Sequence, residues 1–395
     1  MSDAVSHRDR CAIAGIGATE FSKDSGRSEL TLAAQACRSA LDDAGLGVAD
    51  VDGVVSCDYD LVSYSAIADA LGIDDLTYWG QTGPGGSGPC AMVGQAVAAI
   101  MSGQATTVLV YRALNGRSGR RYGQGTVDFD ARVGGRGNYE EFFGPYGLVT
   151  PGQFFALLTQ RHMSSYGTRP EALAEIALAC RAAANRNPAA QMHERELTLE
   201  DCLTARPISL PLRLFDFCLE TDGACAVVVT TAERAADCAQ PPALIRAVAQ
   251  STGPRVQPGV MYPMLMRPDI TTTPSRTAAQ TLFSRAGLGP SDVDVAQIYD
   301  CFTITLLLQL EDYGFCAKGE GGAFAESGAL RPGGALPVNT AGGNLSEGYV
   351  HGMNHVLEGV RQIRGTSTSQ IDAAEVSLVT SAPPPGTSAL LLVKG

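Results

Sequence analysis

The chain has 395 residues, 45% of them hydrophobic and 18% charged, with a formal net charge of -12. That length exceeds one ordinary compact core and suits two similar domains of about 200 residues each. The composition is that of a well-packed α/β protein rather than a disordered one, and the acidic balance argues against a general nucleic-acid binder, which would present a basic face.

In chain order, the opening Met1-Ser2-Asp3-Ala4-Val5-Ser6-His7-Arg8 is polar, carries no secretory core and leads straight into a strand, Cys11 to Gly15. Gly15-Ile16-Gly17 starts like a dinucleotide fingerprint, but Glu20 stands where its third glycine belongs, so a Rossmann site is rejected. A helix is expected next. Ser28 is its N-cap, Leu30, Ala33, Ala34, Cys37, Leu41 and Ala44 form its apolar stripe, and Gly45 is its C-cap. A short strand follows, Gly53 to Ser56, then a glycine-rich turn from Gly83 to Gly88, a helix from Ala91 to Met101 and a strand from Thr107 to Val110.

A long insertion, about 113–213, comes next. It begins with Arg117, Arg120 and Arg121 among glycines, then carries helical patterns over Gly152–Tyr166 and Pro170–Asn185. It reads as a substrate-covering loop region rather than a separate folding unit.

The second half repeats the first. It opens with a strand, Ala243 to Val248, followed by a helix capped by Thr273 with Pro274 at its first position. Ala44-Gly45-Leu46-Gly47, followed by Asp50-Val51-Asp52, recurs as Ala286-Gly287-Leu288-Gly289, followed by Asp292-Val293-Asp294. A strand Val295–Ile298, a glycine-rich turn Gly342–Gly348, a helix Met353–Ile363 and a strand Val376–Val379 complete the copy. Alternating strands and helices, twice over, imply two mainly parallel or mixed sheets covered by helices, in halves 1–235 and 236–395. No apolar run approaches the ~20 residues of a membrane span. Eleven cysteines without a CxxC pair read as small buried hydrophobes in a reducing, cytoplasmic setting. Only His351 and His355 have helical i,i+4 spacing, without HExxH context, so no metal site is expected.

Four features together resemble the thiolase superfamily, in its sterol-carrier-protein thiolase branch, over essentially the whole chain. They are the repeat, Leu212-Arg213-Leu214-Phe215-Asp216 running into Thr221-Asp222-Gly223-Ala224, Tyr299-Asp300-Cys301-Phe302, and Gly342-Gly343-Asn344 through Gly352. The resemblance implies a thiolase fold of two duplicated α/β halves in αβαβα layers, a homodimer, and CoA thioesters as substrates.

The motifs also depart from that family. Aligned on Gly88 and Ala91, the family's nucleophilic cysteine falls on Gly85, and Cys90 lies out of register inside the helix. Tyr349 stands where a histidine would activate the nucleophile, and Tyr299 where a histidine would help bind the thioester oxygen. The carboxy-terminal cysteine is missing from Val379-Thr380-Ser381-Ala382-Pro383-Pro384-Pro385. Two histidines exchanged for tyrosines resemble the thiolase-like aldolases of steroid side-chain degradation. That likeness implies retro-aldol cleavage of a β-hydroxyacyl-CoA with a tertiary alcohol, a 17-hydroxy steroid side-chain ester, to a ketone and propionyl-CoA. It also implies an OB-type, DUF35-like partner protein.

On this reading Tyr299 and Tyr349 are the catalytic pair, as acid, base or enolate donor. His351, Asn344 and Gly343 are supporting residues, and the amides of the Gly342–Gly348 turn are expected to supply further donors. Arg117, Arg120 and Arg121 are candidates for the CoA phosphates. No cofactor is required, because the thioester itself is the electron sink. The alternatives are a thiolase or acyltransferase with Cys301 or Cys90 as relocated nucleophile, and a non-catalytic lipid-binding scaffold.

Overall fold

The computed structural model describes residues 7–83, 85–119, 121, 143–254, 262–384 and 386–395. Its strands are β1 (Cys11–Ala18), β2 (Gly53–Cys57), β3 (Tyr78–Thr82), β4 (Thr107–Asn115), β5 (Pro207–Ser209), β6 (Leu212–Arg213), β7 (Asp222–Thr231), β8 (Ala243–Ser251), β9 (Val295–Gln297), β10 (Val376–Thr380) and β11 (Thr387–Lys394). The helices that matter here are α1 (Glu29–Ala44), α2 (Pro89–Met101), α3 (Pro151–Tyr166), α4 (Pro170–Ala184), α5 (Ser275–Ala286), α6 (Thr303–Asp312), α7 (Gly343–Ser346) and α8 (Met353–Arg364).

In the first half β1 runs antiparallel to β7, β7 antiparallel to β4, and β4 parallel to β2. In the second half β8, β11, β10 and β9 repeat those senses in that order. Two separate sheets were the expectation, and the structure corrects it. The opening strands β1 and β8 lie at the inner edges of their halves and pair antiparallel at Ala12↔Leu244 and Ile13↔Ala243. Each thereby satisfies backbone groups the other would leave exposed, and the halves join into one mixed sheet, β3-β2-β4-β7-β1-β8-β11-β10-β9.

Layering follows from the period-two alternation of side chains along the strands. Val227 and Val229 face a central core with Val93 and Val97 of α2 and Val356 and Val360 of α8. Their neighbours Ala226 and Val228 face outward to Leu32, Ala36 and Ala40 of α1. In the second half Leu390 and Leu392 face the central core, while Ala389 and Leu391 join Leu282 of α5 and Leu306 of α6. The outcome is the expected αβαβα stack, with the central strands β4, β7 and β11 buried on both faces and largely apolar.

The helix ends follow local chemistry. Ser28 Oγ accepts from the Thr31 amide at 3.1 Å, and Gly45 and Gly287 close α1 and α5 in the left-handed region at φ 70° and 69°. One boundary moves by a residue: Pro274 is the N-cap of α5, while Thr273 Oγ1 accepts from the Ser275 amide at 3.1 Å.

Candidate active site

Tyr299 follows β9, at the centre of the second-half core. Its amide donates to Thr380 Oγ1 at 3.0 Å, its carbonyl accepts from Gln309 Nε2 at 2.8 Å, and its side chain is 1% exposed. Tyr349 lies between α7 and α8, half-buried, with its amide donating to Thr221 Oγ1 at 2.8 Å. Fifty residues apart in sequence, the two hydroxyl oxygens stand 3.1 Å from each other. Burial, then the neighbouring phenol, pushes the Tyr299 hydroxyl well above the usual tyrosine range.

The glycine turn ahead of α2 makes room for this pair. A Cβ on Gly86 would lie 2.2 Å from the Tyr299 hydroxyl. Gly85 has φ +47°, and a Cβ there would lie 3.2 Å from the Tyr59 ring and 3.9 Å from His351 Cε1. The position where the family's cysteine falls is therefore a left-handed glycine crowded by an aromatic ring.

His351 packs edge-on to Tyr349, with ring centroids 4.8 Å apart, and takes φ 49° itself. Burial, then the charge of Arg112, holds its imidazole well below the usual histidine range, so it stays neutral. His355 turns elsewhere, its Nε2 lying 3.0 Å from Asp300 Oδ1.

The turn amides do not serve as expected. Asp300 is buried against the start of α7, where its carboxylate accepts from the Asn344 amide at 2.8 Å and the Leu345 amide at 3.3 Å. The amides of Ser346, Glu347 and Gly348 turn back to Gly342 and Gly343 carbonyls, and that of Tyr349 to Thr221. The protein's own acceptors consume these donors before a substrate reaches them. Gly343 is a packing requirement of the same arrangement: φ is +62° and a Cβ would stand 2.3 Å from Asp300 Oδ2. The Asn344 side-chain amide is buried with neither end partnered among the described residues, and it is not on the cavity wall.

A cavity of about 970 Å³ opens onto Tyr299, Tyr349 and His351. Its far wall includes Phe155, Phe217 and Phe302, with Phe302 stacked on Phe155 at 4.5 Å and edge-on to Phe217 at 4.9 Å. It is a largely apolar chamber with a polar end, at the upper end of the ligand-site range of about 300–1,000 Å³. Cys301 and Cys218 also line it. Burial pushes the thiols of Cys301 and Cys90 up to about 12, the direction opposite to that of an activated nucleophile.

Of the arginines expected to meet phosphate, Arg121 lies on the cavity wall and Arg117 does not, while Arg120 lies outside the described residues. Glu220 engages both described ones, at 2.9 Å from Arg121 Nε and 3.7 Å from Arg117 Nε. Lys23 and Arg195 also line the cavity, without an ion pair among the described residues. The motifs gave no signal for these two, nor for the buried Arg112 beneath Gly85.

Residues 261–393 match the family model described as thiolase C-terminal domain-like. The 17-hydroxy-3-oxo-4-pregnene-20-carboxyl-CoA lyase of Mycobacterium tuberculosis is 44% identical, over 97% of this chain and 99% of its own. The steroid side-chain-cleaving aldolase of Thermomonospora curvata is also 44% identical, over 96% of this chain and 97% of its own. Among solved structures, the Ltp2-ChsH2(DUF35) aldolase superposes with a TM-score of 0.92 at 42% identity, over 98% of this chain and 99% of that one. The chain belongs to the thiolase superfamily and, within it, to the thiolase-like aldolases. It is an enzyme of the carbon–carbon lyase class.

Proposed function

We propose that the protein cleaves a 17-hydroxy steroid side-chain CoA ester to a 17-ketosteroid and propionyl-CoA, with Tyr299 and Tyr349 as the acid–base pair. The observation that carries this reading is the 3.1 Å contact between the two phenols at the polar end of an apolar cavity. The relatives' names supply the substrate class: a pregnene carboxyl-CoA for one, a steroid side chain for the other.

The reaction needs no redox partner. A base takes the proton of the tertiary hydroxyl, the C–C bond breaks to leave a ketone, and its electron pair passes into the thioester as an enolate. A proton returned to the α-carbon completes propionyl-CoA. Tyr299, the more deeply buried, is the proton donor and enolate partner, and the half-buried Tyr349, as phenolate, is the base, its gained proton passing to Tyr299 across their 3.1 Å contact to reset the pair. The thioester is the electron sink, so neither a cofactor nor a covalent cysteine intermediate is required. Lys23 and Arg195, with Arg121, receive the CoA phosphates at the cavity mouth.

The name of the solved relative pairs it with a DUF35 protein, and an OB-type DUF35 partner is proposed for this chain as well. A homodimer fits the outer edge of the sheet. Beyond β2, β3 has no further strand partner among the described residues, and its Trp79 is 54% exposed, stacked on Tyr64 at 4.9 Å. No helix among the described residues is long and apolar enough to cross a membrane. Eleven free thiols suit a reducing compartment such as the cytoplasm.

The test is incubation with a 17-hydroxy steroid side-chain CoA ester, with and without the DUF35 partner. Equimolar 17-ketosteroid and propionyl-CoA are expected, at full rate only with the partner, and Cys90→Ser and Cys301→Ser should match the parent within a few fold. A loss of more than about a hundredfold in either folded variant sinks the cysteine-free mechanism.

A further inference from the structure

Arg112, on β4, is fully buried, and the chemistry proposed above does not use it. Its Nε lies 3.3 Å from Asp60 Oδ1, with both side chains wholly inaccessible, and Asp60 is itself fixed by the Cys57 amide at 3.2 Å. Arg112 Nη1 donates to the carbonyl of Gly85 at 3.4 Å. Gly85 and Gly86 line the cavity, and Gly86 abuts the Tyr299 hydroxyl. A buried ion pair costs desolvation that its own attraction often fails to offset, so it is weak as a stability device and its position asks for another role.

We propose that Arg112 is a positioning residue for the aldolase step. Clamped by Asp60, it holds the Gly85 carbonyl, and with it the glycine turn against Tyr299, and it places a fixed positive charge one peptide from the tyrosine pair. In a water-poor site such a charge is little screened. It opposes protonation of His351 and favours negative charge on a phenol or enolate oxygen. Around it stand Asp58, Asp60 and Cys57 from the end of β2, Glu29 from α1, and His351 from the turn before α8. Burial pushes the Asp60 carboxyl up to about 7 in spite of Arg112.

The inference rests on the tyrosine reading, but its test includes a readout taken without substrate. The His351 imidazole is followed by NMR from about pH 8, above the span in which an ordinary histidine titrates, down to the lowest pH at which the fold persists, and assigned by its loss in His351→Gln. Two enzymes are compared with the parent. Arg112→Lys keeps the charge. Arg112→Gln/Asp60→Asn replaces the ion pair by two amides, removing charge without leaving a bare buried ion. His351 is expected to protonate at higher pH in the double variant than in the parent and in Arg112→Lys, with burial still opposing the charge in all three. The double variant should also lose about 10- to 100-fold in kcat with KM within a few fold, and the Lys variant should recover most of that loss. A double variant whose His351 protonates at no higher pH than the parent's, or whose kcat stays within about threefold of the parent, overturns the proposal. Should the titration behave as expected while Tyr→Phe variants remain active, the tyrosine reading fails and the electrostatic role of Arg112 stands.

Discussion

Tyr299→Phe and Tyr349→Phe are each expected to lower kcat by about 10²–10⁴-fold while CoA-ester binding stays within a few fold. Each substitution removes one hydroxyl and leaves the ring. The Tyr299 ring remains packed in the second-half core, and its hydroxyl meets that of Tyr349 at 3.1 Å. The stability change is therefore about 1 kcal/mol, the net worth of one hydrogen bond. Proton transfer is affected far more, because each phenol is both a reacting group and the other's partner. The double Phe variant should be little worse than the more damaged single one, since groups that act as a unit are not additive. Single variants that turn over at more than about a tenth of the parent rate would overturn the tyrosine mechanism.

Gly86→Ala tests the same geometry from the other side of the contact. The added Cβ would stand 2.2 Å from the Tyr299 hydroxyl, 2.7 Å from Cζ and 3.1 Å from the Ala382 Cβ. Gly86 is not in the left-handed region, so alanine meets no backbone strain and acts through that contact alone. Tyr299 must shift, which disturbs its 3.1 Å contact with Tyr349, and kcat should fall by more than about 10²-fold. Overpacking of this kind costs about 1–3 kcal/mol of stability. Tyr299→Phe added to Gly86→Ala should recover part of the melting temperature and none of the activity, a non-additivity expected of residues in contact. A Gly86→Ala enzyme with near-parent kcat would place the working phenol elsewhere.

The helices α1, α2, α5 and α8 were legible in the chain because their signals are local, whereas α6 (Thr303–Asp312) was not read. Ser28, Gly45 and Gly287 act on their own turns, and the apolar stripes repeat at helical spacing. Strands were legible where apolar residues run together, as at Val54-Val55. β3 was not: Tyr78-Trp79-Gly80-Gln81-Thr82 has no apolar alternation and becomes a strand by pairing with β2. The joining of the two sheets was hidden as well, since it rests on two residue pairs contributed by strands over two hundred residues apart.

The tyrosines could be named from their motifs, but the contact between them exists only in three dimensions. The mistaken donors of the glycine turn have the same origin. Asp300 stood in a quoted motif, yet only the fold reveals that its carboxylate fills the start of α7. Arg112 lies two residues beyond a strand read as Thr107 to Val110, where a charged residue looks like chain that has reached water, whereas β4 runs on to Asn115. Its burial depends on Asp60, which no spacing rule connects to it.

The central claim is a retro-aldol cleavage in which tyrosines move the protons and no cysteine is acylated. One measurement addresses it most directly: turnover of the 17-hydroxy steroid side-chain CoA ester in D₂O, with the products and the intact protein weighed together. The account predicts 17-ketosteroid and propionyl-CoA in equal amounts, one deuterium at the α-carbon of the propionyl group, and a protein of unchanged mass throughout. An acyl adduct on the protein, or cleavage that requires added free CoA, would contradict it.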